Sequence, residues 1–574
     1  MIPGAGRTAA DLMGRLIGKD GGDIAIVTGL QSFVDQGQRE IGFRATLAQR
    51  HPLCRVVSVL EARDQAELAD AFAADLEFGT AGLRGKLGAG PNRMNRVVVL
   101  RAAAGLASYL KAQGADSTSA VVIGYDARHN SDVFACDTAQ VITGAGMRAL
   151  VLPRPLPTPL LAFAILELGC VAGVMVTASH NPPQDNGYKV YLGDGSQIIP
   201  PTDADIAAEI AVVAARPLAD IARSDDYPLV GDDLVEAYVA RAASLVPAPA
   251  PRDLNWVYTA MHGVGAAVVD QVVAATGFGE PARVSEQIAP DPAFPTVAFP
   301  NPEEPGAIDL ALALAREVGA DVAIANDPDA DRCAIAAVIG GAWRMLTGDE
   351  LGSLLADDLL RQGVAGTYAC SVVSSTLLGT MAVAHGQPFT TTLTGFKWIG
   401  RVPNMAFGYE EAIGYCTDAS VVPDKDGITT LVRVLALVAR LKASGATIAD
   451  RLDEIARSYG LHLTSQLSFR VSDLSLISDA MARLRANPPA SLLGEPVTVT
   501  DLLDGGALPP TDGVRLAGET LRVVVRPSGT EPKLKAYLEV RATPEASRDV
   551  RAARVAAAER IAQLRAEMST ALGL

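Results

Sequence analysis

The stretch Asp321-Val322-Ala323-Ile324-Ala325-Asn326-Asp327-Pro328-Asp329-Ala330-Asp331-Arg332 carries the two features on which a reading of the chain turns. It begins as a short apolar run of strand character and ends as an acidic loop. Asp327, Asp329 and Asp331 are spaced by two. In a helix that spacing would spread them around the axis. Pro328 disfavours a helix, and an extended or looped backbone can turn all three carboxylates to one side. Carboxylates held ~4 Å apart repel by roughly 4 kcal/mol per pair at an effective dielectric of ~20, so the cluster calls for a cation. Oxygen-only ligation with room left for a phosphate oxygen suits Mg²⁺, one ion per site. An EF-hand fails on position, because its sixth residue should be Gly and its twelfth Glu, and here they are Arg332 and Val338. Arg332 beside the cluster would counter its charge or hold a phosphate. The competing reading is a solvated acidic turn.

Further strands that end in polar loops lie on both sides. Val121-Val122-Ile123-Gly124-Tyr125-Asp126 and Gly173-Val174-Met175-Val176 precede the stretch, the second delivering Thr177-Ala178-Ser179-His180-Asn181-Pro182-Pro183. A hydroxyl at a strand end, beside a proton acceptor and near a cation, has what a nucleophile requires. Read alone, the loop fits a Ser/Asn-capped turn equally well. It is not a hydrolase elbow, since G-x-S-x-G is absent. Lys189, in Asn186-Gly187-Tyr188-Lys189, offers a further acid or base. Trp256-Val257-Tyr258-Thr259-Ala260 leads into Met261-His262-Gly263-Val264-Gly265, and Leu521 to Val525 leads into Arg526-Pro527-Ser528-Gly529-Thr530-Glu531-Pro532-Lys533. The latter supplies a guanidinium, two hydroxyls and backbone N–H groups in a short arc, a donor array suited to a phosphate. Gly408-Tyr409-Glu410-Glu411-Ala412-Ile413-Gly414 sets paired acids on a Gly-bounded loop, where they can accept hydrogen bonds from vicinal sugar hydroxyls. Thr394-Gly395-Phe396-Lys397 and Asp424-Lys425-Asp426-Gly427 add cations able to hold an anionic substrate.

The recurring theme reads as strand, polar Gly-rich loop, then helix, which makes the class α/β with ligands at the carboxyl ends of strands. Residues 1 to about 60 read as a helical N-terminal region, 426–443 and the segment from about 545 as helices, and Val246-Pro247-Ala248-Pro249-Ala250-Pro251 as a stiff connector. Pro159 to Ala178 is apolar enough to raise a membrane span, but Glu167, Gly169 and Gly173 interrupt it, so a buried helix followed by a buried strand is the expectation.

With 574 residues the chain exceeds one core and implies three to five domains. A net charge of −16 and the lack of any long Lys/Arg block argue against nucleic acid or an anionic membrane as partner. Nine residues are lysine against forty arginines, and five of the nine (Lys189, Lys397, Lys425, Lys533, Lys535) fall inside the motifs above. A compact ammonium on a mobile stem is therefore kept where chemistry would use it. Six scattered cysteines without CxxC, and an N-terminus without an apolar signal core, give the expectation of a cytoplasmic protein with reduced, mostly buried thiols.

Taken in order, the four loops resemble those of the α-D-phosphohexomutase superfamily. Phe78-Gly79-Thr80-Ala81-Gly82-Leu83-Arg84-Gly85 and Tyr125-Asp126-Ala127-Arg128 also match its first domain, and the resemblance covers roughly residues 65 to 545. It implies three similar α/β domains and a smaller α+β fourth around a central cleft. With the N-terminal region at 1–60, the expected boundaries are 61–215, 216–340, 341–460 and 461–574. It further implies a phosphorylated Ser179 as phosphoryl donor, with Mg²⁺ held between its phosphate and Asp327, Asp329 and Asp331. By the same resemblance His180 and Lys189 are candidate acid/base groups, supported by Arg84. Arg332, Thr394, Gly395, Lys397, Glu410, Glu411 and Lys425 would bind the sugar. Arg526, Ser528, Gly529, Thr530 and Lys535 would hold the phosphate that is not transferred. A bisphosphosugar would be both intermediate and activator, and the partner a small phosphosugar; the resemblance leaves oligomeric state open.

One departure bears on the sugar. Glucose-preferring members often carry Gly-Glu-Glu-Ser in the sugar loop, and here Ala412 follows Glu410-Glu411. With the glycine-rich motif at 78–82 and Asp424-Lys425-Asp426-Gly427, this resembles the phosphoglucomutase branch that includes phosphopentomutases. Glucose 1-/6-phosphate is the expected substrate, followed by ribose or deoxyribose phosphate, then mannose phosphate. A sugar-bisphosphate synthase on the same scaffold is the alternative enzyme. A non-enzymatic sugar-phosphate binder would carry damage at Ser179 or the aspartates, and both motifs are intact.

Overall fold

The computed structural model describes residues 65–246, 249–471, 475–528 and 533–573, residues 43–44 and 46–47, and the backbone of strands Gly22–Thr28 and Cys54–Glu61. Those two strands pair in parallel and residues 43–44 and 46–47 are helical, so the described part of 1–60 contains strand as well as the helix expected. The runs Ile24-Ala25-Ile26-Val27 and Val56-Val57-Ser58-Val59 are rich in β-branched residues, whose stiff χ1 favours a pleated surface over a helix. Pro247 and Ala248 of the expected connector lie outside the described residues.

Four sheets of four or five strands follow among the described residues, with a two-stranded one at Ser491–Leu492 and Glu495–Pro496. The first runs in the order Leu83–Lys86, Asp185–Leu192, Ala172–Val176, Ala120–Tyr125, Arg148–Val151. The second is Ala342–Met345, Cys333–Ile339, Val322–Asn326, Trp256–Thr259, Ala282–Arg283, and the third Phe389–Thr392, Thr367–Ser371, Met405–Glu410, Gly414–Cys416. Each of these three mixes parallel neighbours with antiparallel ones. The fourth, Leu461–Arg470, Lys533–Ala542, Leu521–Pro527, Val514–Ala517, Thr498–Asp501, is wholly antiparallel. Mixed α/β sheets in three domains and an α+β fourth are the architecture the motifs implied.

The expected theme of loop then helix is corrected at every site loop. The Ser179 loop runs into strand Asp185–Leu192, the acidic loop into Cys333–Ile339, the Glu410 loop into Gly414–Cys416 and the Arg526 loop into Lys533–Ala542, each antiparallel to the strand before it. The reason is local. Segments such as Tyr188-Lys189-Val190-Tyr191-Leu192 and Cys333-Ala334-Ile335-Ala336-Ala337-Val338-Ile339 are mainly apolar, carry β-branched or aromatic residues, and pair at once with the strand they left.

The apolar segment at 159–178 forms helix Thr158–Glu167 and strand Ala172–Val176, both buried. No helix among the described residues is long and apolar enough to cross a membrane. One continuous core passes from helix Thr158–Glu167 of the first domain (Leu160, Leu161, Ile165) through the second sheet (Val257, Ile324) into the third domain (Leu354, Phe407, Leu435). The fourth domain has its own core, built on Leu516, Val523, Leu538 and Leu564. Of the five described cysteines four are buried, and Cys136 is exposed.

Candidate active site

The acidic loop sits at the hairpin between Val322–Asn326 and Cys333–Ile339. Ala330, in a left-handed conformation (φ 53°), and the bond from Ala330 N–H to Asp327 O (2.8 Å) turn the backbone sharply. Asn326 braces the turn by donating to Arg332 O at 2.7 Å. Neighbouring loops nest against it with no room for a side chain: a Cβ on Gly263 would lie 2.3 Å from Pro328 Cα, and one on Gly427 2.3 Å from Arg332 O. The result brings one carboxylate oxygen each of Asp327, Asp329 and Asp331 within 4.8 Å of one another, all three residues buried.

This cluster is asymmetric. Thr158 donates its hydroxyl to Asp329 Oδ2 (2.7 Å) and its N–H to Asp329 O (2.9 Å). Lys189 Nζ lies 2.8 Å from Asp329 and 3.2 Å from Asp331, and Lys425 Nζ 3.3 Å from Asp331. Burial works to raise the pKa of all three carboxyls. At Asp329 the Lys189 ammonium outweighs burial and holds it far below the usual range; at Asp331, Lys425 and Lys189 act the same way. Asp327 has no ammonium against it, and burial together with the Asp329 charge pushes it well up. Asp329 Oδ1 and Asp331 Oδ1 are buried without hydrogen-bond partners. Three buried carboxylates, oxygen-only donors and two unmatched oxygens fit a hard divalent cation.

Ser179 is buried and left-handed (φ 51°), at the end of strand Ala172–Val176. Its hydroxyl donates to Asp327 Oδ2 at 2.9 Å and lies 3.2 Å from His180 Nδ1; its N–H donates to Thr177 Oγ1 at 2.8 Å. Burial first, then the Arg332 and Arg84 charges, lower the His180 imidazole well below its usual value, so it is neutral at physiological pH. Burial would also deprotonate Lys189, but Asp329 and Asp331 more than offset it and keep the ammonium charged. Arg84, on strand Leu83–Lys86, donates to Asn181 Oδ1 at 3.0 Å.

Arg332 joins the acidic loop to the Glu410 loop. It donates to Ala412 O and lies 3.6 Å from Glu410 Oε1, while Cys333 N–H donates to Ile413 O at 3.2 Å. Glu411 accepts from the hydroxyls of Ser371 (3.1 Å) and Ser374 (3.3 Å); burial and the neighbouring Glu410 push it up to about 7. Lys397 reaches across to Thr80 Oγ1, joining the first and third domains. Thr394 Oγ1 is buried without a partner beside the left-handed Gly395 (φ 108°). Lys425, expected to bind substrate, pairs with Asp331 and Asp424 (3.6 Å) and sits 5.5 Å from the Phe396 ring centroid. In the fourth domain Arg526 and Lys535 stand opposite each other on paired strands, and Ser528 N–H donates to Lys533 O at 2.8 Å. Gly529 and Thr530 lie outside the described residues.

Sequence reading missed Thr158, Ser371 and Ser374. Single hydroxyl residues in Pro157-Thr158-Pro159 and Ser371-Val372-Val373-Ser374 carry no spacing signal, because their partners are 171 and 37 to 40 residues away. It also missed Arg128, whose motif was visible but whose contact with Ser179 O, 51 residues on, was not.

Phosphoglucomutase/phosphomannomutase family models match the chain in four consecutive parts. The alpha/beta/alpha domains I, II and III match residues 75–216, 236–338 and 347–459, and the C-terminal domain matches 469–557. A probable phosphomannomutase of Haemophilus influenzae is 50% identical over 456 residues, covering 78% of this chain and 93% of the relative. A probable phosphoribomutase of Schizosaccharomyces pombe is 36% identical over 528 residues (84% and 90%), and a phosphoglucomutase of Staphylococcus aureus 32% over 511 (83% and 91%). The crystal structure of a putative phosphomannomutase from Thermus thermophilus superposes with a TM-score of 0.66 at 27% identity, covering 83% of this chain and 97% of that one.

Proposed function

The chain belongs to the phosphoglucomutase/phosphomannomutase family, and from that premise we infer that it interconverts the 1- and 6-phosphates of glucose through a phosphorylated Ser179 and a bisphosphosugar. The family makes it a phosphosugar mutase, an intramolecular phosphotransferase. The observation that carries the finer reading is the 2.9 Å contact between Ser179 Oγ and Asp327 Oδ2, which sets a hydroxyl at the edge of the buried acid cluster.

Asp327, Asp329 and Asp331, with an oxygen on Ser179, are the groups that would hold Mg²⁺, which neutralises charge on the transferring phosphoryl group. Ser179 carries that group. His180, 3.2 Å from Ser179 Oγ, and Lys189, 2.8 Å from Asp329, would move the proton exchanged with the sugar hydroxyl. Arg84 supports the Ser179 loop through Asn181. Glu410, Glu411, Thr394, Gly395 and Arg332 receive the sugar, with Lys397 and Lys425 contributing positive charge. Arg526, Ser528, Gly529, Thr530 and Lys535 hold the other phosphate, the cation pair Arg526–Lys535 supplying the charge. The bisphosphosugar reorients in the cleft and returns its second phosphate to Ser179, and free bisphosphosugar reloads a dephosphorylated enzyme. Positioning and charge neutralisation provide most of such catalysis, and water must be excluded to spare the phosphoserine.

Pentose 1-/5-phosphates are the second reading. Ala412 brings no hydroxyl to the sugar loop and its carbonyl is taken by Arg332, and relatives of 35–36% identity are named phosphopentomutase and probable phosphoribomutase. The test is a coupled assay of the phosphorylated enzyme with Mg²⁺ on glucose, ribose and mannose 1-phosphates. Glucose should give the highest kcat/KM, and a higher value on ribose or mannose 1-phosphate replaces the sugar. Ser179→Ala should bind substrate with turnover reduced by at least about 10³-fold; near-normal turnover overturns the mechanism.

A further inference from the structure

Ser179 and the carbonyls that follow it close around one side chain. Arg128 is 4% exposed. Its Nη2 donates to Ser179 O (2.6 Å) and Asn181 O (2.5 Å), and its Nη1 to Pro182 O (2.8 Å) and Asp185 O (3.2 Å). Pro182 and Pro183 have no N–H to offer; Pro182 O also accepts from Asp185 N–H (3.1 Å), and the guanidinium fork supplies donors to all four carbonyls. Asp126, at the end of strand Ala120–Tyr125, fixes the arginine. Its Oδ1 accepts from Arg128 N–H (3.0 Å) and Ser131 Oγ (2.6 Å), and its Oδ2 lies 3.4 Å from Arg128 Nε.

The open face of the guanidinium is covered from the second domain. The Phe294 ring centroid lies 4.8 Å from Arg128 Cζ. Phe294 N–H donates to Asp291 O (3.1 Å), and Asp291 N–H to His262 O (3.0 Å). His262 precedes Gly263, which abuts Pro328 of the acidic loop. Along this path Ser179, Met261, His262, Phe294 and Ala330 are all left-handed, five of the nine such non-glycine residues described. Held backbone strain of this kind clusters where geometry has a use.

We propose that Arg128 is a positioning residue for phosphoryl transfer: it sets the Ser179 loop, and Phe294, seated on its guanidinium, carries the alignment between Ser179 and the acidic loop. The proposal rests on Ser179 being the phosphoryl carrier. A lysine keeps the charge but not the fork, so it cannot serve four carbonyls at once. Displacing a reacting group by about 1 Å costs on the order of 10²-fold in rate.

The experiment follows single-turnover transfer from phosphorylated enzyme to glucose 1-phosphate. Arg128→Lys should slow transfer about 10²-fold with KM within threefold, and should raise loss of the phosphate to water. Phe294→Leu, which leaves the four carbonyl bonds in place, should slow transfer about tenfold. Transfer by Arg128→Lys within threefold of the parent, or a loss matched by an equal rise in KM, overturns the proposal. If Arg128→Lys does not fold, Phe294→Leu decides, and transfer within twofold of the parent overturns it. Ser179→Ala in the same assay separates the two readings. Persistent turnover there removes the carrier role itself, whereas a dead Ser179→Ala beside an intact Arg128→Lys removes only the positioning role.

Discussion

The first three domains and the fourth are built on different principles. The first three share one apolar core that continues from Leu160 to Leu435, and the Ser179 and acidic loops are buried where these domains meet. The fourth domain has a separate core and meets the third mainly through a polar junction. There Glu539 accepts from Ser375 Oγ (2.7 Å), Thr376 N–H (2.8 Å) and His462 Nδ1 (3.0 Å), and Arg522 donates to the carbonyls of Val372 and Ser374. One small apolar cluster, Val372, Val373, Leu502, Val524 and Tyr537, backs it. The difference matches the two tasks proposed above: chemistry at Ser179 would need fixed atoms, and a shared core is stiff, whereas holding either phosphate of a reorienting sugar would need a domain free to shift. The junction is also where the two tasks touch, since Ser374, gripped by Arg522, donates to Glu411.

The largest expected effect lies inside the stiff block. Asp329→Asn should lower Mg²⁺-dependent turnover about 10³-fold, or ~4 kcal/mol of barrier, while circular dichroism and the melting of the fourth domain stay unchanged. An unaltered Mg²⁺ response would break the assignment of the acidic loop. Next are the cores. Leu354→Ala should cost about 2–5 kcal/mol in the first transition of a calorimetric scan and spare the fourth domain, and Leu538→Ala should do the reverse. A single transition moved equally by both variants would show the cores to be energetically one.

The junction has its own acid signature. Burial would raise Glu539, but the hydrogen bond from His462 and the Arg522 charge outweigh it and hold it at about 2, against 4.5 for a free glutamate. A depressed carboxyl stabilises above its unfolded value and loses that contribution as pH falls, so the junction should weaken by about 2 kcal/mol between pH 7 and 3. Hydrogen exchange of strand Lys533–Ala542 should report it, and Glu539→Gln should abolish the dependence. The smallest effect has the opposite sign. Glu411 is raised to about 7, so its contribution is complete at low pH and is lost as pH rises through 7. The parent should lose about 1 kcal/mol between pH 6 and 8 that Glu411→Gln does not, measured by denaturant titration.

Much of this molecule was legible in its residues, for reasons that differ by feature. The acidic loop was readable because three like charges at a spacing of two around Pro328 can be turned to one side, where they call for a cation. The strands before each loop were readable because buried strands are short continuous apolar runs. The strand after each loop was not, since Asp185–Leu192 and Cys333–Ile339 differ from buried helices only in pairing, which periodicity does not report. The contact of Lys425 with Asp331 was not legible, because a Lys between two Asp carries no sign of direction; only folding sets it there. The clamp on Ser179 was invisible for the same reason, as its donor and its acceptors lie on different elements.

The contacts that assemble the site span long stretches of chain: 148 residues between Ser179 and Asp327, and 317 between Thr80 and Lys397. Domains emerging from the ribosome fold in turn from the N-terminus. A nascent chain therefore carries its serine long before it carries the carboxylates that would put it to work. Incomplete translation products, or fragments cut between the first and second domains, hold the hydroxyl without Asp327, Asp329 and Asp331. On the mechanism proposed above they would lack the cation site needed to take a phosphate from a bisphosphosugar, and a reactive phosphoserine would arise only in a chain able to protect it.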